Sequence, residues 1–234
     1  MVGVNPVIEL LRSDVPVDRV LLGPGPRRPE LLAACQRRGV TPVESDRSGL
    51  DRTAGRPGHQ GAVALAPAFR YHDIDRIAEG TARPVLVLDG IQDPRNLGAI
   101  LRTARAAGVG GVVLPQDRSA GITSVVVGAS AGALFGLRIV RVPNLARAMK
   151  ALKDFGFWLL GLVPTGVPSV FDIELPGRIA LVVGGEGDGL RPLVRRTCDL
   201  EACIPMGAGV ESLNVSVATG IALFEVVRRT RQMP

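Results

Sequence analysis

From Val85 onward, short runs of Val, Ile and Leu alternate with helix-like stretches: VLVLDG, NLGAILRTARAAG, GVVLP, GITSVVVGASAGALF, LRIVRV, NLARAMKALKDFG, FWLLGLVP, IALVVGGEG, LRPLVRRTC and EACIP. Strands that are apolar on both sides cannot turn one face to water, so this alternation encodes a parallel sheet covered by helices on both faces. It predicts an α/β domain of about five or six strands over residues 85–234. Open sheets of this kind place their ligands beyond the carboxyl ends of the strands. Polar and Gly residues gathered there are the candidates for function.

Residues 1–68 carry a different rhythm. VNPVIELLRS, VDRVLLG, PELLAACQRRG, VTPVES and HQGAVALAPA alternate helix-like and strand-like pieces and predict a small α/β unit. FRYHDIDRIAEGTARP, residues 69–84, reads as a polar linker with room for a short helix. With 234 residues, 46% of them apolar, the chain has enough material for a sizeable core. No apolar run reaches the roughly 18 residues needed to cross a bilayer. The start, MVGVNPVIELLRSD, carries Glu9, Arg12 and Asp14 where a signal peptide needs an apolar run. The expectation is a cytoplasmic protein with no membrane partner. Cys35, Cys198 and Cys203 are scattered, and His59 and His72 complete no zinc spacing with them, which predicts free thiols and no metal.

The net charge of +6 rests on Arg, because Lys150 and Lys153 are the only lysines. A GC-rich genome produces the same bias without any functional cause. Alternatively, guanidinium forks suit phosphate better than point charges do, and a sequence pI near 10.2 is common in nucleic-acid binders. Aromatic residues make up 3% of the chain, which argues against base-stacking platforms and leaves phosphate and ribose contacts to dominate.

Three segments place polar and Gly residues just past predicted strands. In LDGIQDPRNLGAILRTA, Asp93-Pro94 makes a turn, Asn96 can cap the following helix and Arg102 projects two turns in; a plain capped helix with a solvated Arg explains the same pattern. In LVVGGEGDGLRP, a strand runs into Gly184, Gly185, Glu186, Gly187 and Gly189, where the carboxylate could simply be satisfied by backbone N–H groups of the turn. In CIPMGAGVESLNVSVATGIALFEVVRR, Ser212, Asn214 and Ser216 cluster where a helix begins and its N–H groups are free for a ligand. A P-loop is excluded because no Lys-Ser or Lys-Thr exists in the chain. The Gly spacing does not match the dinucleotide fingerprint and sits late in the domain, which leaves a doubly wound nucleotide enzyme only a weak alternative. No Gly-x-Ser-x-Gly elbow appears either.

Together the segments resemble the SpoU family of S-adenosylmethionine-dependent RNA ribose methyltransferases, in the SPOUT superfamily. DPRNLGAILRTA is similar to that family's first motif, VVGGEGDGL to its second and IPMGAGVESLNVSVATGIAL to its third. GVNPVIELLRS and HQGAVALAP are similar to the small RNA-binding domain of a subgroup that modifies a guanosine of large-subunit rRNA.

The resemblance implies a SPOUT domain with a C-terminal deep trefoil knot, preceded by a small α/β, L30e-like RNA-binding domain. It implies S-adenosylmethionine as cofactor, RNA as substrate and a homodimer whose active sites are completed by the partner. Carried over by motif, Arg102 engages the ribose hydroxyl, and Asn96 and Glu186 position it or the substrate. Ser212 and Asn214 join them in ordering the catalytic pocket. Gly184, Gly185, Ile204, Met206, Leu213 and Ser216 fall on the cofactor side. Related enzymes that act on tRNA or confer resistance by rRNA methylation are alternatives, as is a non-catalytic RNA-binding or ribosome-assembly protein of this fold.

Overall fold

The computed structural model describes residues 1–13, 15–55, 57–78, 83–164, 166–187, 189–209 and 212–230. They divide into two compact units, residues 1–70 with 122–136, and residues 71–121 with 137–234.

In the first unit, α1 (Val4–Arg12) buries Val4, Val7, Ile8, Leu10 and Leu11, a spacing that puts one apolar stripe on one side. The stripe packs on a sheet in which β1 (Arg19–Leu22) lies between β2 (Val43–Glu44), parallel to it, and β3 (Ala62–Leu65), antiparallel. α2 (Arg28–Arg38) adds Leu31, Ala34 and Cys35 to the same core. α3 (Arg47–Ala54) has no counterpart in the sequence reading, because Leu50 is its one buried residue. The Asp46 carboxylate starts it by accepting from Gly49 N at 2.8 Å.

In the second unit, α4 (Asp75–Ala78) is the short helix expected between residues 69 and 84; residues 79–82 of that stretch lie outside the described residues. The six-stranded sheet is parallel at every pairing. Its order is β6 (Ile139–Val142), β5 (Gly111–Pro115), β4 (Val85–Asp89), β8 (Arg178–Gly184), β7 (Phe157–Leu162) and β9 (Leu200–Ala202). All five residues of β4 and all five of β5 are buried, as continuous apolar strands require. α5 (Pro94–Ala107) lays Leu97, Ile100, Leu101 and Ala104 on the core and stops at Gly108, whose φ of 74° is left-handed.

One expectation about α5 is corrected. Asp93 caps it, accepting from Arg95 N at 2.8 Å, and Pro94 takes the first helical position. Asn96 is therefore inside the first turn, and its amide is released for other partners.

α6 (Ser124–Ala129) and the 3₁₀ turn Ala133–Gly136 belong to the first unit, although their sequence continues the strand–helix alternation of the second. Phe135 packs against the core of the first unit, and a Cβ on Gly132 would meet Glu9 of α1. α7 (Leu145–Asp154), α8 (Pro192–Thr197) and α9 (Val215–Thr230) complete the second unit, with α9 packed on α5 and β8. Among the described residues no helix is long and apolar enough to cross a membrane, and no cluster of three His, Cys, Asp or Glu side chains could hold a metal ion.

Candidate active site

The carboxyl ends of β4, β7 and β8 carry the loops that shape the site. β8 ends in Gly184, and the turn that follows closes on itself through a bridge between Gly185 and Gly189. The turn is pressed against its neighbours so closely that a side chain has no room. A Cβ on Gly184 would overlap the carbonyl of Gly189, and one on Gly185 would overlap the carbonyl oxygen of Gly90. Gly187 and Gly189 adopt φ of 91° and 64°, which L-residues rarely hold. Asp188 lies outside the described residues.

A buried carboxylate anchors this turn. Asp89, the last residue of β4, is 1% exposed. Its Oδ2 accepts from Arg191 N at 2.8 Å and its Oδ1 from Arg191 Nε at 2.6 Å, while its carbonyl accepts from Gly185 N at 2.8 Å. Arg191 in turn starts α8. No local sequence pattern singles out Arg191; the available clue is a carboxylate closing an otherwise apolar buried strand, a group that needs a partner.

A cavity of about 420 Å³ opens beside the turn. Its walls come from the end of β7 (Leu162 to Pro164), from the turn itself (Gly184 to Gly187, with Gly189), from Ile204 and Met206 after β9, and from Ser212 to Val215 at the start of α9. The volume and the mostly apolar walls edged by backbone groups suit a small organic ligand. Of the candidate residues, Gly184, Gly185, Glu186, Ile204, Met206, Ser212, Leu213 and Asn214 line it.

A chain of hydrogen bonds joins residues from all three motifs at its edge. Asn96 Nδ2 donates to Glu186 Oε1, and Asn214 Nδ2 donates to Asn96 Oδ1 at 3.1 Å. Asn214 Oδ1 accepts from Ser216 N at 2.9 Å and from Ser216 Oγ at 2.6 Å, which also caps α9. Ser216 thus reaches the cavity through Asn214. Arg102 stands apart: it is exposed on α5, does not line the cavity and makes no ion pair among the described residues. Six residues of helix separate it from Asn96, about 240° around the axis, so the two point to different sides.

Cys198 offers no nucleophile. Burial, with the charges of Glu201 and Asp199 adding to it, pushes Cys198 up to about 12, so it holds no thiolate at neutral pH. Cys203 Sγ donates to the Val167 carbonyl oxygen at 3.3 Å.

Residues 83–224 match the sequence profile of the SpoU rRNA methylase family. The chain belongs to that family. Residues 1–72 match a second profile, for the substrate-binding domain of RNA 2′-O ribose methyltransferases. Among curated SpoU relatives, the 23S rRNA (guanosine-2′-O-)-methyltransferase RlmB of Xanthomonas campestris is 44% identical over 98% of this chain and 96% of its own length. The RlmB of Ralstonia nicotianae is 39% identical over 100% and 97%. Among solved structures, an AdoMet-bound rRNA methyltransferase from Sinorhizobium meliloti superposes with a TM-score of 0.82 at 26% identity, covering 100% of this chain and 87% of that one. The SpoU methyltransferase AviRb from Streptomyces viridochromogenes, in complex with AdoMet, superposes with a TM-score of 0.81 at 27% identity, covering 100% and 91%.

Proposed function

We propose that this chain transfers a methyl group from S-adenosylmethionine to the ribose 2′-hydroxyl of a guanosine in 23S rRNA, in the cytoplasm. The observation that carries this reading is the Ser216–Asn214–Asn96–Glu186 hydrogen-bond chain, which ties three distant motifs together at the mouth of one cavity. Near-full-length similarity to RlmB enzymes supports the choice of substrate.

S-adenosylmethionine suits the residues present. Leu162, Ile204 and Leu213 offer apolar surface for the adenine, and the side-chain-free turn at Gly184 and Gly185 lets the backbone approach polar edges of the ligand. When bound, it supplies a methyl group activated by a sulfonium. The protein's share is then positioning. Asn96 and Asn214 hold Glu186 at the cavity edge, where its carboxylate can orient the ribose or meet positive charge. A guanidinium keeps its proton in proteins, so Arg102 is no general base. It binds phosphate beside the target and stabilises the alkoxide charge that develops as the hydroxyl reacts and gives its proton up to solvent water, with proximity supplying much of the acceleration.

The first unit, centred on residues 1–68, supplies RNA affinity as an L30e-like domain, with residues 69–84 as linker and residues 85–234 as the catalytic SPOUT domain. A deep trefoil knot at the C-terminus is part of this proposal. The strand order, in which β8 lies inside β7, and the return of α9 to α5 are compatible with it. So is a homodimer: Val217 and Phe224, seven residues apart on one face of α9, are 49% and 50% exposed. In that dimer Arg102 serves the partner's cavity, which accounts for its pointing away from Asn96.

Incubating the chain with labelled S-adenosylmethionine and either 23S rRNA or tRNA, then mapping the product, tests the activity. The expected product is one 2′-O-methylguanosine in 23S rRNA; label in tRNA or on a base overturns the assignment. Shared sites are tested by mixing Arg102→Ala with Asn214→Ala chains. With random exchange, half the dimers are mixed and each has one intact site, so about a quarter of wild-type activity should return. No recovery in dimers shown to have exchanged would place both residues in the same chain's site.

A further inference from the structure

Among the described residues, three that are not glycine have a positive φ, and one of them is Arg118, at 56°. The left-handed conformation crowds Cβ against the following carbonyl, so Gly or Asn would make such a turn more cheaply than Arg does. The loop is also firmly held. Ala120 N donates to the Ile91 carbonyl at 2.8 Å, and Ser119 Oγ donates to the same oxygen at 3.3 Å. At the other end Gln116 N donates to Val142 O at 2.7 Å, and Gln116 O accepts from Arg141 Nη2 at 2.7 Å. Arg141 itself lies over the Tyr71 ring, 5.6 Å from its centroid. Between these ties Arg118 is exposed, and its guanidinium has no protein partner among the described residues. The turn costs more with Arg than with Gly, and the loop closes without the Arg side chain, which leaves that side chain available to a ligand.

The loop follows β5 at the carboxyl end of the sheet, and Ile91, to which it is bonded, belongs to the segment joining β4 to α5 and Asn96. We infer that Arg118 is a phosphodiester-binding residue, gripping the RNA strand that carries the target nucleotide from the β5 side of the site. A planar fork of donors on a fixed backbone matches a phosphate bidentately. The inference rests on RNA being the substrate, as proposed above. It assigns to the catalytic unit a contact separate from the affinity supplied by the first unit.

Arg118→Gly in the full-length protein is the decisive variant, because Gly relieves the backbone while removing the cation. Binding of a 23S rRNA transcript, read at several salt concentrations, should weaken on the order of tenfold, and its dependence on log salt should become shallower by about 0.7 to 0.9. The RNA KM should rise while kcat at saturating RNA stays within about twofold. S-adenosylhomocysteine affinity and Tm should be unchanged or, for Tm, higher. Arg118→Lys should recover most of the salt slope, since the charge remains. Wild-type RNA affinity and slope in Arg118→Gly would overturn the inference. So would a fall in Tm, which would make the side chain structural, or a loss of dimer mass, which would make it an interface residue. Because the readout is binding, a wild-type chain that binds 23S rRNA without methylating it would sink the proposed activity and leave this contact standing.

Discussion

Arg102→Ala should lower kcat by about a hundred- to a thousandfold, the loss seen when a donor to developing negative charge is removed from a preorganised site. The corresponding barrier is about 2.7–4 kcal/mol. Affinity for S-adenosylhomocysteine should be unchanged, since the contacts proposed for Arg102 are to the RNA phosphate and ribose and not to the cofactor. Tm should also hold, because the side chain is exposed and makes no ion pair among the described residues. A pH–rate profile separates the possible roles. If Arg102 is an electrostatic stabiliser, the variant is slower at every pH with an unchanged profile. If a base titrating between about pH 6 and 9 were present and disappeared in the variant, the general-base role rejected above would be restored. Arg102→Lys should recover little, because a single ammonium cannot reproduce the fork.

The second large effect is on stability and is asymmetric. Asp89 is fully buried, whereas the Arg191 side chain is 39% exposed. Removing the guanidinium leaves a carboxylate stranded in the core, and Arg191→Ala should cost about 3–5 kcal/mol. Removing the carboxylate lets the arginine turn to water, so Asp89→Ala should cost less, about 1.5–3 kcal/mol for the lost charge-assisted bonds. At about 2–4 °C per kcal/mol for a chain of this size, Arg191→Ala should lower Tm by roughly 10 °C. The double variant should be more stable than Arg191→Ala alone. Calorimetry with S-adenosylhomocysteine should show weaker binding in both single variants, because the pair fixes the turn carrying Gly184 and Gly185. Equal costs for the two alanines would mean that water already reaches the carboxylate.

The parallel sheet was readable because its strands leave no polar face: five consecutive buried residues in β4 and in β5 admit few other arrangements. That Asn96, Glu186, Asn214 and Ser216 deserved notice was readable because small polar side chains next to Gly turns have few structural reasons to cluster; that hydrogen bonds join them was not. The hidden parts have a common cause. α3 rests on Leu50 alone, so no period marks it. Residues 122–136 have apolar side chains, Val126, Val127 and Leu134, that say they are buried but not against which core. The Asp89–Arg191 pair spans 102 residues, a separation at which local pattern carries no information. Asn96 was assigned to a cap that Asp93 provides, because both stand at the same helix start and only geometry decides between them.

The turn after β8 reverses the usual logic of mutational mapping. Replacing a residue with alanine normally takes atoms away and asks what they contributed. At Gly184 and Gly185 it inserts a methyl where another stretch of main chain already lies. The harm there comes from addition, it grows with the first carbon rather than with the last functional group, and no compensating change in a neighbouring side chain can make room, because the obstacle is peptide backbone. Drift at these two positions is therefore closed in every direction, while apolar side chains around the same cavity, such as Leu162, Ile204 and Leu213, remain open to exchange, so variation among such enzymes should collect there and leave the two glycines untouched.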